Sequence, residues 1–176
     1  MKPEVERMVE ACKRHDERAY KQLYDIYAPM MLTVCMRYAR DRDAAQDILQ
    51  DGFVKVFRHI RMLKDPMQLE GWMRRLMMNT AINSLRRVRE SISLDDIGEK
   101  EAPAALHYDR YDMERITQAI QSLPEQYRVV FNLYEIEGYS HAEIGERIGL
   151  KESSVRAVLT RAKQRLVRAL GDRNEY

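Results

Sequence analysis

The sequence predicts an all-α chain: an N-terminal helical bundle and a C-terminal helix-turn-helix, two small domains joined by a flexible linker. Three observations carry that expectation. Helix-forming residues dominate the 176 positions, with only 7 glycines and 5 prolines, and propensity summed over long windows is informative even though each residue contributes little. Apolar side chains recur at three- and four-residue spacing, while alternation at period two is scarcely visible. Between residues 90 and 111 that periodicity lapses and the composition turns acidic. The expected division is therefore 1–89, a linker over 90–111, and 112–176.

Residues 14–89 read as long amphipathic helices. Tyr20, Leu23, Tyr24, Tyr27, Met31 and Val34 mark the first by their helical spacing. A second opens at Asp43, where Asp-Ala-Ala-Gln offers a capping pattern, and runs to about Met62. Pro66 punctuates a loop, and a third helix spans about Leu69 to Arg89. Leu49, Phe53, Val56 and Ile60 are placed to pack against Leu69, Met73 and Leu76 in one small core. Trp72 lies on the same apolar stripe and reads as core rather than as a stacking platform. The linker, ESISLDDIGEKEAPAALHYDRY, allows at most a short helix around Ser93–Ile97. From Asp112 the stripe resumes with Ile116, Ala119, Ile120 and Leu123. Pro124 suits the first position of a helix continuing to about Ile136, and Gly138 stops it.

Composition limits the function. With 45% hydrophobic and 33% charged residues, the chain resembles a water-exposed folded protein. No run approaches the ~18 apolar residues of a membrane span, and the opening MKPEVERMVE lacks the apolar core of a signal peptide. A cytoplasmic protein without membrane insertion is expected. Cys12 and Cys35 form no C-x-x-C pair, and His15, His59, His107 and His141 are scattered. Reduced, partly buried thiols and no metal or other cofactor follow. The net charge of +2 conceals a pattern: residues 1–90 carry 18 Lys/Arg against 13 Asp/Glu, 91–112 carry 2 against 6, and 151–170 carry 6 against 1. Two basic surfaces separated by an acidic stretch suit a protein that touches nucleic acid at two places. Solvated helix faces would explain the charge equally well if no motif coincided with it.

A motif does coincide. Ser140-His-Ala-Glu143 is a capping box that starts a helix at Ser140, and Gly149 ends it nine residues later. Gly145 lies one turn before Gly149, where the backbone of a second helix can approach closely. Leu150 and Val155 supply contacts across the turn, and Leu159, Ala162 and Leu166 continue the buried stripe. A short helix, a tight glycine turn and a longer basic helix make a helix-turn-helix. Its second helix would present Ser153, Arg156, Ala157, Thr160, Arg161 and Gln164 outward. The early residues would reach base edges in the major groove, where arginine is shaped to grip guanine. Lys163, Arg165 and Arg168 suit phosphate or water. Lys151 occupies the cap position of this helix, where Ser or Thr is preferred.

The N-terminal block narrows the choice among helix-turn-helix proteins. Asp47-x-x-Gln50-Asp51-x-Phe53-x-Lys55-x-Phe57 is followed by Trp72-Met73-x-Arg75-x-x-x-Asn79-Thr80-Ala81 and then Asn83-x-x-Arg86-Arg87. In residue types and spacing this resembles the second conserved domain of extracytoplasmic-function sigma factors. Leu123-Pro124-Glu125-x-Tyr127-Arg128, Glu137-Gly138-Tyr139-Ser140-x-x-Glu143-Ile144, Val155-Arg156 and Arg161-Ala162 resemble the fourth domain of the same family. The two stretches stand in the family's order, with a linker where the family has one.

The resemblance implies an alternative sigma factor, a promoter-reading subunit of RNA polymerase. The helix matching 43–62 would dock on the clamp helices of the largest polymerase subunit. Asp47, Gln50, Asp51 and Arg58 would supply its polar contacts and Val54 and Phe57 apolar ones, with core packing the other reading for Phe57. The helix matching 68–89 would open the minus-ten element. Opening costs base stacking, so the separated strand must be captured in a basic groove with a pocket for an extruded base. Arg75, Asn79, Ile82 and Arg86 fall at spacings of four, three and four, one helical face, with Asn83 beside them. Asn79 can both donate to and accept from a base edge. The loop from Leu63 to Gln68 would form the other wall, with Leu63 at a position often aromatic in the family. The C-terminal domain would read the minus-35 duplex. The implied partners are core RNA polymerase, promoter DNA and an anti-sigma factor, with no small-molecule substrate.

Two other classes compete. A conventional helix-turn-helix regulator with an N-terminal dimerisation or sensory domain predicts a two-fold dimer on palindromic duplex. A sigma factor predicts a monomer that binds duplex weakly until polymerase holds both domains at fixed spacing. An enzyme acting on nucleic acid finds no carboxylate cluster with metal-ligand spacing, no activated nucleophile and no glycine-rich phosphate loop in the sequence.

Overall fold

The computed structural model describes residues 2–91 and 112–171, with side chains over 3–84 and 115–170. The stretch 92–111, the possible helix at Ser93–Ile97, and the side chains of Arg86 and Arg87 lie outside the described residues. Every regular element among the described residues is helical. The chain divides into two compact units, Met1–Ala81 and Ile82–Tyr176.

The first unit holds α1 (Lys2–Lys13), α2 (Glu17–Tyr38), α3 (Arg42–His59) and the start of α4 (Leu69–Ser91). Helix α1 escapes a periodicity reading that begins at residue 14. It buries only a narrow seam of Met8, Val9 and Cys12 under a charged exterior. His15 turns the chain at φ 63°, and the Asp16 carboxylate caps α2 by accepting from the backbone N–H of Arg18 at 2.8 Å and Ala19 at 3.3 Å. Helix α3 is capped by Asp41, not Asp43. Asp41 has the extended backbone a cap requires, and its carboxylate accepts from the Ala44 N–H at 2.8 Å.

After α3 the chain tightens into two 3₁₀ turns, Ile60–Met62 and Pro66–Gln68. The Asp65 carboxylate caps the second, accepting from the Met67 N–H at 2.9 Å. Arg61 Nε donates to the Lys13 carbonyl at 3.0 Å and ties this connection to the end of α1. The core is Leu49, Phe53, Val56, Ile60, Leu69 and Met73, all buried. Leu76 is only half-buried, and Met77 is fully buried instead, one residue or about 100° further round the helix. Gly52 on α3 makes room for it, since a Cβ there would collide with the Met77 sulfur. Trp72 is half-buried.

The second unit contains α5 (Asp112–Ser122), α6 (Glu125–Phe131), α7 (His141–Ile148) and α8 (Glu152–Gly171). Pro124 is the cap of α6 rather than its first residue. The helix does run on to Ile136, but Asn132–Ile136 is π-helical, an inserted-residue geometry that period 3.6 does not anticipate. Arg128 explains how the α5–α6 corner closes. Its side chain is 2% exposed, and one guanidinium nitrogen donates to the carbonyls of Gln121 at 2.8 Å and Leu123 at 3.0 Å, groups that the end of a helix leaves without intrahelical donors. Ala119 and Leu123 pack with Ala162 and Leu166 of α8, flanked by Ile120, Tyr127, Phe131 and Leu170. Ile116, expected on the buried stripe, is 39% exposed.

Candidate nucleic-acid interface

The helix-turn-helix is built from its first N–H group onward. The Ser140 hydroxyl accepts from the Glu143 N–H at 3.3 Å, and the Glu143 carboxylate accepts from the Ser140 N–H at 2.8 Å and from its hydroxyl at 2.7 Å. Those bonds to Ser140, side chain first and backbone second, hold the Glu143 carboxyl below its ordinary pKa. Gly149 ends α7 in the left-handed region at φ 72°, a conformation costing an L-residue about 1–2 kcal/mol. The Leu150 N–H then donates to the Gly145 carbonyl at 2.9 Å. A Cβ at Gly145 would stand 2.5 Å from the Leu150 carbonyl oxygen, so the turn folds this tightly only around a glycine. Val155, Leu159, Ala162 and Leu166 are buried, which fixes the roll of α8.

That roll leaves Ser153, Arg156, Ala157, Thr160, Arg161 and Gln164 all exposed. Arg156 pairs with Glu152 one turn earlier, and the Thr160 hydroxyl donates to the Arg156 carbonyl at 2.9 Å. Further along, Arg161, Gln164, Arg165 and Arg168 line a shallow cavity of about 270 Å³ with Tyr127. Lys163 is exposed and also makes an ion pair. Its ammonium contacts the Glu135 carboxylate at 2.6 Å and lies 5.6 Å from the Tyr134 ring centroid, and the hydrogen bond with Glu135 raises its pKa. The π turn positions Glu135 for this contact.

In the first unit α3 turns Asp47, Gln50, Asp51, Val54 and Arg58 outward, and Val54 is 55% exposed. Phe57 is half-buried, with its ring 4.5 Å from that of Tyr20 and 5.8 Å from that of Phe53. It packs within the bundle, and Phe53 is core at 2% exposure. Along α4, Arg75, Asn79 and Asn83 are exposed at four-residue intervals. Two expected pocket residues are not exposed. Ile82 is buried at 4% and Leu63 at 5%, because apolar side chains at those positions gain more from leaving water than from lining a wet groove. Instead Met62 and Met67, on either side of Leu63 and Asp65, are 70% and 45% exposed; the loop's composition alone did not separate these from Leu63. The side chain of Arg86 lies outside the described residues.

Both thiols are buried. Desolvation pushes Cys12 up to about 11 and Cys35 up to about 12, values of inert core thiols. No helix among the described residues is long and apolar enough to cross a membrane.

Two helical units, one of them a capped helix-turn-helix with an arginine-bearing outward face, define a DNA-binding regulatory protein. Comparison with known proteins makes the class specific. Residues 23–90 match the family model for sigma-70 region 2, and residues 113–166 match that for sigma-70, region 4. The RNA polymerase sigma-H factor of Pseudomonas aeruginosa is 30% identical over 180 residues, covering 94% of this chain and 93% of that one. The ECF RNA polymerase sigma factor SigW of Bacillus subtilis is 24% identical over 182 residues, covering 96% and 97%. The sigma factor RpoE of Bartonella quintana, solved in complex with the anti-sigma factor NepR, shares the fold at a TM-score of 0.52 and 19% identity, over 86% of this chain and 96% of that one. The chain belongs to the sigma-70 family of RNA polymerase sigma factors and is an alternative sigma factor of the extracytoplasmic-function group. It directs transcription initiation, family membership implies a regulatory role, and the dimeric-regulator alternative is not favoured.

Proposed function

We propose that residues 1–89 grip core RNA polymerase and capture the minus-ten strand, that 112–176 read the minus-35 duplex, and that 90–111 bridge them. Asp47, Gln50, Asp51, Val54 and Arg58 form the polymerase-facing side of α3. Arg75, Asn79 and Asn83 are the α4 positions offered to single-stranded promoter DNA, with Arg86 continuing the series in sequence. Ser153, Arg156, Ala157, Thr160, Arg161 and Gln164 form the duplex-reading face of α8. The protein works in the cytoplasm and is restrained by an anti-sigma partner, as the RpoE–NepR complex illustrates for a structural relative.

The observation that carries this reading is the exposed α4 series. Asn79 stands between Arg75 and Asn83 on the solvent side of a helix whose other faces bury Met73, Met77 and Met78. Two amides and a guanidinium in line on one side are also the groups that a nucleic-acid strand can engage. Phosphate contacts hold a strand in register while amides discriminate base edges. The test is Asn79→Ala. Polymerase binding should stay within about twofold of wild type, while permanganate reactivity of minus-ten thymines should fall by roughly tenfold, the loss expected when a hydrogen-bonding contact worth about 1–1.5 kcal/mol is removed. Equal loss of both would assign Asn79 to folding.

A further inference from the structure

Lys55 lies inside the motif that marks α3, yet neither the polymerase-facing side nor the core claims it. Its neighbours divide cleanly: Phe53 and Val56 are buried, while Val54 is exposed. The Lys55 side chain is half-buried, and its ammonium donates to the Thr80 hydroxyl at 2.9 Å. Thr80 is 1% exposed and itself donates to the Leu76 carbonyl at 2.7 Å. An ammonium from the helix assigned to polymerase thus ends on a buried hydroxyl in α4, at the residue directly after Asn79.

We infer that Lys55 is a positioning residue, which acts through Thr80 to hold the roll of α4 against α3 and thereby the direction in which Arg75 and Asn79 face the captured strand. This rests on the strand-capturing reading of α4 proposed above. The physical case is one of choice between alternatives. A methionine or leucine at 55 would fill the same space without desolvating a charge, and a polar group taken out of water is a cost unless its hydrogen bonds are made. Polar links of this kind are kept where one geometry must be selected from several nearly equal apolar packings, a role attested in some proteins. Such a choice exists here. One turn earlier on each helix, α3 and α4 touch through Gly52 and Met77, a glycine against a flexible thioether that fills gaps without defining an angle. The directional contact is Lys55 to Thr80. Consecutive helix residues are about 100° apart, so fixing Thr80 inward fixes Asn79 outward.

The experiment is a double-mutant cycle with Lys55→Met, Thr80→Val and the pair, each as the full chain assembled with core polymerase. Three quantities are read: affinity for core, affinity of the holoenzyme for a single-stranded minus-ten oligonucleotide, and opening of a duplex promoter. Each single variant should keep core affinity within about twofold and lose roughly tenfold in oligonucleotide binding and opening. The pair should lose no more than either alone, since the link can be broken only once. Lys55→Arg, which retains a donor, should recover most of the loss. Losses that multiply in the pair, or that fall on core affinity, would overturn the inference in favour of plain packing. Variants that bind the oligonucleotide like wild type would overturn it too. If wild-type holoenzyme itself failed to bind the oligonucleotide, the strand-capture reading would fall, and this inference with it, a result distinct from every other arm.

Discussion

Arg128 and Asn132 are the buried polar residues described in the C-terminal unit, and Arg128 carries a full charge. A guanidinium at 2% exposure must have its donors met, and two carbonyls at the end of α5 accept from one of its nitrogens. Arg128→Met keeps the aliphatic stem and removes the donors, so the buried Leu123 carbonyl and the half-buried Gln121 carbonyl lose a charged hydrogen bond, at a cost of about 2–3 kcal/mol. Urea unfolding should show a lower midpoint by that amount; a change below ~0.5 kcal/mol, the scatter of neutral surface substitutions, would contradict the assignment. The sequence could not reveal this. An arginine in Tyr127-Arg128 on an amphipathic helix reads as a solvated charge, and only the corner between α5 and α6 makes it interior. Ser140, Gly145 and Gly149 behave oppositely. Each does something that one residue type does best at one backbone position, so each was legible from the sequence. Asp41 and Asp43 mark the limit of such reading. Both are good caps, and the choice lies in backbone angles that composition does not encode.

At the scale of elements, α7 and α8 carry two predictions. Glu143 has a folded-state pKa below its ordinary value of 4.5. A carboxyl shifted in that direction stabilises the folded state above its unfolded pKa and loses that contribution as pH falls through the lowered value. The stability gap between wild type and Glu143→Ala should therefore be widest near neutrality and shrink as pH drops below 4.5, read by urea melts across pH. A gap that widened toward acid would contradict the cap. On α8, Arg156→Ala should relax preference at one base position at a cost of about 1–3 kcal/mol for the cognate site, whereas Arg168→Ala should weaken all sequences alike and lower the salt slope by about one. Competition binding of holoenzyme to minus-35 duplexes at several salt concentrations separates the two. The same pattern in both variants would mean that α8 does not divide into a base-reading start and a phosphate-holding end.

Elements also show where periodicity succeeds and where it stops. The buried stripe of α8 was readable because Val155, Leu159, Ala162 and Leu166 repeat cleanly on one face. On α4 the spacing 75–79–82–86 does lie along one side, but a side some 60° wide includes positions on either edge of the solvent boundary. Ile82 falls inside that boundary and Asn83 outside it. Hydrophobicity of the individual residue, rather than spacing, decided which. The π turn at Asn132–Ile136 was invisible for a related reason. An inserted residue shifts the register by one position, within the tolerance of any amphipathic pattern, yet it sets Glu135 against the exposed Lys163 and so offsets part of the positive charge there.

Over the whole molecule, sequence reading reached the all-helical class and the helix-turn-helix because both follow from local patterns repeated many times. It missed α1, whose seam of three buried side chains is too thin to register as a period. Family membership rests on two matched regions in order, and the charge distribution gives that order physical sense, with basic segments in each half and an acidic stretch between. On the reading proposed above, a larger body holds both halves on one promoter, since linking two weak contacts raises affinity only when geometry lets both engage together. Run-off transcription on a promoter library, with core polymerase alone and with core plus this protein, tests that dependence most directly. Discrete new start sites should appear only when both are present, and the free monomer should bind duplex weakly. Tight binding of palindromic duplex by a free dimer, with no new start sites on adding it to core, would contradict it.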